Sequence, residues 1–392
     1  MSTVECIPEN LFQRLVSFRR DLHQHPELSW KEERTAERIE AEARTLGLSP
    51  RRVAGTGVVA ELPGQSEGPF IALRGDIDAL PIQEETGLEF ASDNPGVMHA
   101  CGHDGHTTIL LGAAEMLLSD PPPLPIRLIW QPAEETGGGA RTMVEHGVLE
   151  QVAMIFGGHL DRHYEPGILV VTEGIVNASA DSFWIDIHGQ EGHGARPHEA
   201  LDAVVVGSLL VTALQTIVSR EINPADPSVL SVGMFEAGTA PNVIAGSARL
   251  GGTIRAQSRE TRARLHKALQ RIAVAVGQLH GADIQVRFED GTPPLINDAR
   301  TTALARAAAL KVVDEEHVVP LITANMGGED FASYLDHVPG CYIRYGAQVP
   351  GRESYPAHSS RFDFDESALA VGAAWMNQVA RVAGEEVLAN GC

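Results

Sequence analysis

Residues 98–106 read M-H-A-C-G-H-D-G-H, which places His99, Cys101, His103, Asp104 and His106 among glycine and alanine. Imidazole and thiolate are the usual ligands of borderline-soft divalent metals, and small residues between them let the backbone wrap an ion tightly. The spacing is not that of a zinc finger, which needs two separated ligand pairs. It reads as one corner of a catalytic metal site whose other ligands lie further along. A polar turn with surface histidines is the plainer alternative, and the density of ligand types argues against it. Glu134-Glu135 is the second informative pair. In such a pair one carboxylate can bind metal while its neighbour takes a proton from water. An isolated Glu-Glu is usually a solvated pair; this one follows an apolar run and precedes Gly137, Gly138 and Gly139.

The elements that must position these groups are legible as apolar runs ending in polar residues. Phe70-Ile71-Ala72-Leu73 runs into Arg74-Gly75-Asp76-Ile77-Asp78, residues 126–130 into Gln131-Pro132-Ala133-Glu134-Glu135, and residues 152–156 into Gly157-Gly158-His159. A helical pattern over 106–118 separates the first two. Strands alternating with helices predict an α/β sheet, where ligands gather beyond the carboxyl ends of the strands. Asp76, Glu134, Glu135 and His159 would then lie near the Cys101 cluster. Two amphipathic helices come first: Leu11, Leu15, Phe18 and Leu22 mark one, Thr35, Ile39, Ala43 and Leu46 the other, with Gly47 as its cap.

A different texture begins near Ala178. Alternation at Phe183, Ile185 and Ile187, a helical pattern over 199–220, alternating runs over 229–235 and 248–255, a helix over 260–280 and a strand at Ile284, Val286 and Phe288 give the order β-α-β-β-α-β of a ferredoxin-like domain. Residues 290–294 then return the chain to the first texture. The expected organisation is a catalytic domain over 1–178 and 291–392, interrupted by a lid and dimerisation domain over 179–290.

Bulk properties narrow the function classes. The chain has 392 residues, enough for two domains, and a formal net charge of −22. That charge and the scattered arginines argue against a nucleic-acid partner. The first residues, M-S-T-V-E-C-I-P, show no signal-peptide pattern, and the longest apolar stretch, residues 203–214, is too short to cross a bilayer. No membrane association is expected. Cys6, Cys101, Cys341 and Cys392 are too dispersed for a disulfide framework, so a cytoplasmic location is expected.

Eight motifs in one order carry a resemblance across nearly the whole chain. They are R-R-D-L-H-Q-H-P-E-L-S from Arg19, R-G-D-I-D-A-L-P from Arg74, M-H-A-C-G-H-D-G-H from Met98 and Q-P-A-E-E from Gln131. G-H-G-A-R-P-H from Gly192, G-T-I-R from Gly252, G-G-E-D-F from Gly327 and H-S-S-R-F-D-F-D-E from His358 complete the set. The sequence resembles the metal-dependent amidohydrolases that include N-acyl-amino-acid hydrolases, hippurate hydrolase and indoleacetyl-amino-acid hydrolases, within the aminoacylase and carboxypeptidase clan.

The resemblance implies a mixed-sheet di-metal peptidase-like domain with an inserted ferredoxin-like α+β lid. It implies two divalent ions, Mn²⁺ or Zn²⁺, held by Cys101, His103, Glu135, His159 and His358, with Glu134 as general base. His193 would stabilise the oxyanion, and Asn242 and Arg255 would hold the substrate carboxylate. The implied reaction cleaves the amide of an N-acyl amino acid; a dipeptidase or carboxypeptidase with the same machinery is the rival reading. A homodimer or higher homo-oligomer is implied as well. Where the wider clan has H-x-D this chain has Asp76-Ile77-Asp78, so Asp76 and Asp78 are expected to orient ligands rather than bind metal. Asp104, Glu329 and Asp330 could do likewise or serve as caps. Residues 160–166, L-D-R-H-Y-E-P, depart from the family's apolar pattern beside the site, so acyl preference is not carried over.

Overall fold

Leu11, Leu15, Phe18 and Leu22 share one face of the helix Glu9–Gln24, and all four are buried. Thr35, Ala36, Ile39 and Ala43 do the same for Glu33–Thr45, after which Gly47, with φ +84°, turns the chain away. The computed structural model describes residues 6–351 and 354–390. Cys392 and the first five residues, on which the reading of the N-terminus partly rests, lie outside them.

The chain divides into two units. Met1–Val176, Ile296–Thr323 and Asp330–Cys392 form the first; Asn177–Leu295 and Ala324–Glu329 form the second. The first unit holds an eight-stranded mixed sheet. Its order is Arg51–Val53, Gly57–Leu62, Ile126–Gln131, Phe70–Asp76, Val152–Asp161, Gly340–Gly346, Leu169–Val170, Val318–Val319. The central strands Ile126–Gln131, Phe70–Asp76, Val152–Asp161 and Gly340–Gly346 run parallel, so their carboxyl ends open on one edge. Such strands are buried on both faces and therefore read as unbroken apolar runs.

The helix His103–Ser119 starts three residues before the sequence pattern suggests. Gly102, at φ +85°, supplies a left-handed turn that brings the ligand motif directly into the first helical turn. Close packing then fixes this helix. A Cβ on Gly112 would lie 2.7 Å from Leu15 Cδ1 and 2.9 Å from Ala373 Cβ. Ala373 belongs to Ala368–Asn390, a helix buried along most of its length. Each fully buried aliphatic side chain in this core contributes about 1.5–3 kcal/mol of transfer free energy.

The second unit has a four-stranded antiparallel sheet in the order Ser228–Ala237, Ser247–Ala256, Ser179–His188, Asp283–Thr292. Numbered along the chain this is 2-3-1-4, the arrangement of a β-α-β-β-α-β unit. Its helices are Ala203–Thr216 and Arg259–His280. The first starts later than the pattern over 199–220 because Asp202 caps it, accepting from the Val204 and Val205 amides. It also continues through a π-turn at Ile217–Glu221. The resulting 19-residue segment exceeds the expected length and is apolar enough to span a bilayer. Val206, Leu210, Leu214 and Ile217 nonetheless pack into the core of this unit.

Asp181 ties the second unit together. Its buried carboxylate accepts from Arg262 Nε at 2.8 Å and Nη2 at 2.6 Å, from His266 Nε2 at 3.1 Å and from the Gly291 amide at 3.1 Å. Burial alone would raise its pKa, but hydrogen bonds from His266 and Arg262 outweigh burial and hold it at about 2. A carboxylate depressed in the folded state stabilises fully above its ordinary value of 3.8, and that stabilisation fades as pH falls towards 2. Asp181→Asn should cost this unit about 2–3 kcal/mol at neutral pH and flatten its acid unfolding between these limits. Denaturant melts across that pH range check this; an unchanged acid limb in the variant contradicts it.

Candidate metal centre

The centre is built at the carboxyl ends of the parallel strands of the first unit. Strand Phe70–Asp76 delivers Asp76 and Asp78, Ile126–Gln131 leads into Glu134 and Glu135, and Val152–Asp161 carries His159. The helix start brings Cys101 and His103. His358 arrives on a turn with φ +68°, its amide donating to the Ala100 carbonyl at 2.8 Å.

Among the overlapping groups of donor atoms that come within 4.8 Å of one another are Cys101, His103 and His159; Cys101, Glu135 and His358; and His103, Glu134 and Glu135. Cys101 Sγ lies 3.3 Å from His159 Nε2, and His358 Nε2 lies 3.3 Å from Glu135 Oε2. His103 Nε2 and Glu135 Oε1 are 3.9 Å apart, both buried and both without a hydrogen-bond partner. A buried polar atom left unpaired is costly, and a cation between these two satisfies both. Thiolate, imidazole and carboxylate are a donor set suited to divalent transition metals. The residues fit a metal centre.

Groups behind these donors fix their direction. His103 Nδ1 lies 3.1 Å from Asp78 Oδ1 and 3.0 Å from the Asp78 carbonyl, which aims Nε2 at the other donors. Against the pull of burial, Asp76 and Asp78 hold the His103 pKa well up, so a cation bound at Nε2 must displace a proton there. His159 Nδ1 similarly donates to the Leu160 carbonyl at 2.7 Å. Burial, reinforced by His106 and Arg344, pushes the His159 pKa well down and keeps the ring neutral, as a ligand must be. Asp78 Oδ2 accepts from the Glu135 amide at 3.1 Å and from Ser29 Oγ at 2.7 Å. Asp76 accepts from Arg74 and His106, each at 2.6 Å. Against the pull of burial, His103, Arg74 and His106 hold its carboxyl well below the usual range.

His106 uses both ring nitrogens, since Nε2 accepts the Leu160 amide at 2.9 Å. His23 lies between Asp104 and Glu84, and His25 bonds to the Asp21 carbonyl. His99 is buried without a polar partner, and burial lowers its pKa to about 4. Asp104 accepts from Arg19 and His23, which ties the first turn of the ligand helix to Glu9–Gln24. Asp330 accepts from Arg74, Gln131 and the Ala140 amide, and its own amide donates to Glu134 Oε1 at 3.3 Å. Glu329 belongs to the second unit.

The remaining candidates are also in the second unit. His193 pairs with Val243 in a two-stranded ribbon, and the Asn242 carbonyl accepts the Gly194 amide at 2.9 Å, so His193 and Asn242 are neighbours. Arg255 lies near the end of strand Ser247–Ala256; burial lowers its pKa, and it donates to the Ile254 carbonyl. His198 is exposed.

Sequence reasoning did not single out Ser29, Arg74 or Glu32. Glu32 accepts the Ala133 amide at 2.9 Å, steadying the turn that carries Glu134. The signal was available for the first two, which stand inside the first two motifs.

Four matches to known proteins bear on this geometry. The model of peptidase family M20/M25/M40 matches residues 72–382. An N-acyl-L-amino acid amidohydrolase of Geobacillus stearothermophilus is 45% identical over 72% of this chain and 78% of its own length. Thermostable carboxypeptidase 1 of Saccharolobus solfataricus is 37% identical over 92% of each chain. A Bacillus subtilis crystal structure, of a protein named as a dinuclear metal binding M20 peptidase, superposes with TM-score 0.85 at 34% identity, covering 96% of this chain and 99% of that one.

Burial, followed by the Glu135 charge, pushes the Cys101 thiol well up. The thiol is therefore protonated at neutral pH without a cation, and coordination through sulfur must expel its proton. Calorimetry in buffers of different ionisation enthalpy should find about one more proton released at pH 7 by the native protein than by Cys101→Ser. The variant should also lose metal while remaining folded. Equal proton release with unchanged metal content would exclude sulfur as a ligand.

Proposed function

From a chain that belongs to peptidase family M20/M25/M40, we propose an enzyme that hydrolyses the amide of N-acyl amino acids, releasing a carboxylic acid and a free amino acid. The observation that carries this reading is the convergence of Cys101, His103, Glu135, His159 and His358 around unpartnered donor atoms, with the Glu134 carboxylate beside them. Those five residues are the proposed ligands of two divalent ions. Thiolate and imidazole favour Zn²⁺ over Mn²⁺ in intrinsic affinity, while metal supply decides which is bound in the cell. Two such ions, when bound, would polarise the scissile carbonyl and acidify the attacking water.

The chain's own groups supply the rest. Glu134 accepts the proton of the attacking water on its carboxylate and returns it to the leaving nitrogen, which departs as an amine. His193 donates towards the oxygen on which charge develops. Arg255, with Asn242, holds the substrate carboxylate, a task suited to the planar guanidinium. Asp76 and Asp78 orient the ligands. The same machinery would cleave a peptide bond, and the likeness to a carboxypeptidase keeps dipeptides as the second substrate class. A reducing compartment keeps such a thiol available for metal, which supports a cytoplasmic site of action.

We further propose a homodimer formed through the second unit, acting as a lid. Val204, Val205 and Leu209 are exposed on helix Ala203–Thr216, and Val229, Met234 and Phe235 on Ser228–Ala237, a strand at the edge of its sheet. An exposed apolar helix face beside an unpaired strand edge is a surface suited to burial by a second copy. If His193 serves the neighbouring chain, mixing His193→Ala with Glu134→Gln, each nearly inactive, should restore partial activity in the heterodimer. No recovery after demonstrated subunit exchange rules that arrangement out.

Glu134 and Glu135 should fail differently. Glu134→Gln should retain metal and substrate binding while turnover falls by at least ~10²–10⁴-fold, the usual loss on removing a general base. Glu135→Gln should weaken metal affinity first and regain part of its activity at high metal concentration. Metal titrations with steady-state kinetics decide; rescue of Glu134→Gln by added metal, with none for Glu135→Gln, reverses the assignment.

A further inference from the structure

Trp30 is 42% exposed and has φ +64°, a left-handed conformation that is a strong outlier for a bulky residue. The Lys31 amide donates to the Leu28 carbonyl at 2.9 Å, closing a four-residue turn with Trp30 at its third position. A positive φ there calls for glycine or asparagine. A segment serving only to turn the chain gains nothing from an indole in that place. Backbone strain of this kind persists where the surroundings impose it, and it gathers at binding and catalytic sites.

The surroundings here are the metal centre's own supports. The Ala79 amide donates to the Glu27 carbonyl at 2.8 Å, Leu28 bridges to Ala79, and Ser29 Oγ bonds Asp78. On the other side Glu32 accepts the Ala133 amide, immediately before Glu134. The turn is thus fastened at one end to the residue that orients His103 and at the other to the backbone that presents Glu134 and Glu135. Between these anchors the indole edge lies beside Gly138, in the loop that follows the two glutamates. A Cβ on Gly138 would come 3.5 Å from Trp30 Cζ2.

From this placement we propose that Trp30 is a specificity-determining residue whose exposed indole walls the substrate site and packs against a large apolar group flanking the scissile amide. The inference rests on the proposed amide hydrolysis and deepens it by assigning part of the selectivity to this residue. The apolar group is supplied either by the acyl chain or by the amino-acid side chain, and both present the same flat or branched hydrocarbon surface to the ring.

The test compares kcat/KM of metal-loaded native protein, Trp30→Gly and Trp30→Phe on two series. One varies the acyl group from acetyl to benzoyl on a single amino acid; the other varies the amino acid from alanine to phenylalanine under a single acyl group. In at least one series Trp30→Gly should lower the large-to-small ratio of kcat/KM about tenfold, the range set by apolar contacts in a pocket. Trp30→Phe should recover part of that loss. The series that responds identifies the end of the substrate against the indole.

Melting temperature separates a binding role from a structural one. Glycine suits the left-handed turn, so Trp30→Gly should remain within about 2 °C of native while selectivity collapses. Fluorescence supplies a readout that needs no turnover. Trp130 and Trp375 are fully buried and Trp184 is half-buried on strand Ser179–His188 of the second unit, so a spectral change on adding an N-benzoyl amino acid to Glu134→Gln should vanish when Trp30→Phe is added and persist when Trp184→Phe is added instead. Unchanged ratios in both series, or a ratio change that only tracks lost stability, overturn the proposal. Absence of native turnover on every substrate defeats the amide-hydrolase reading, and this inference with it.

Discussion

Asp78 accepts hydrogen bonds from three parts of the first unit at once: the His103 ring, the Glu135 amide and the Ser29 hydroxyl. Holding His103 Nδ1 turns Nε2 towards the centre, and holding the Glu135 amide fixes the turn after Ile126–Gln131. This carboxylate is fully buried, and burial acts to raise its pKa; hydrogen bonds from His103 and Ser29 overcome that and keep it ionised. Without such a support the donors would be tethered by flexible side chains, and assembling them would carry an entropic cost with every cation bound. The geometry of the centre depends on this one acceptor more than on any single ligand.

The fold supplies what Asp78 needs. Parallel strands end together on one edge of the sheet, and their last residues can be polar because that edge is where the chain leaves the core. Arg74, Asp76, His106, Gln131 and Asp330 form a second buried layer in which each charge meets an opposite charge or a hydrogen-bond partner. Buried charges are tolerated only on such terms. Asp104, gripped by Arg19 and His23, anchors the ligand helix from the far side. Ligand geometry is therefore over-determined from the strands, the helix start and the N-terminal helix together.

Much of this was legible beforehand. Apolar runs gave the central strands because strands buried on both faces lack alternation, and alternation gave those of the second unit because one face is open to water. The candidate donor cluster is legible because histidine and cysteine are sparse along the chain and dense in residues 98–106. The supporting residues are ordinary in type. Ser29 and Glu32 become important only because the turn they occupy returns to the centre, a long-range fact that periodicity cannot carry. The sequence pattern starts the helix that follows Cys101 at His106 rather than His103, since glycine at 102 and 105 masks its first turn. Residues 324–329 join the second unit although they stand far from it in sequence, and no local signal marks such a return.

Membership of peptidase family M20/M25/M40 and the donor geometry lead to one central claim: two divalent cations in the first unit make the chain an amide hydrolase. The most direct measurement strips the protein with a chelator, titrates it with Mn²⁺ or Zn²⁺, and follows bound metal and release of free amino acid from N-acyl amino acids in one experiment. The account predicts binding that saturates at about two ions per chain, with turnover absent from the stripped protein and returning as the sites fill. Full turnover by stripped protein, or saturated binding with no hydrolysis of any acyl amide or dipeptide, would contradict it.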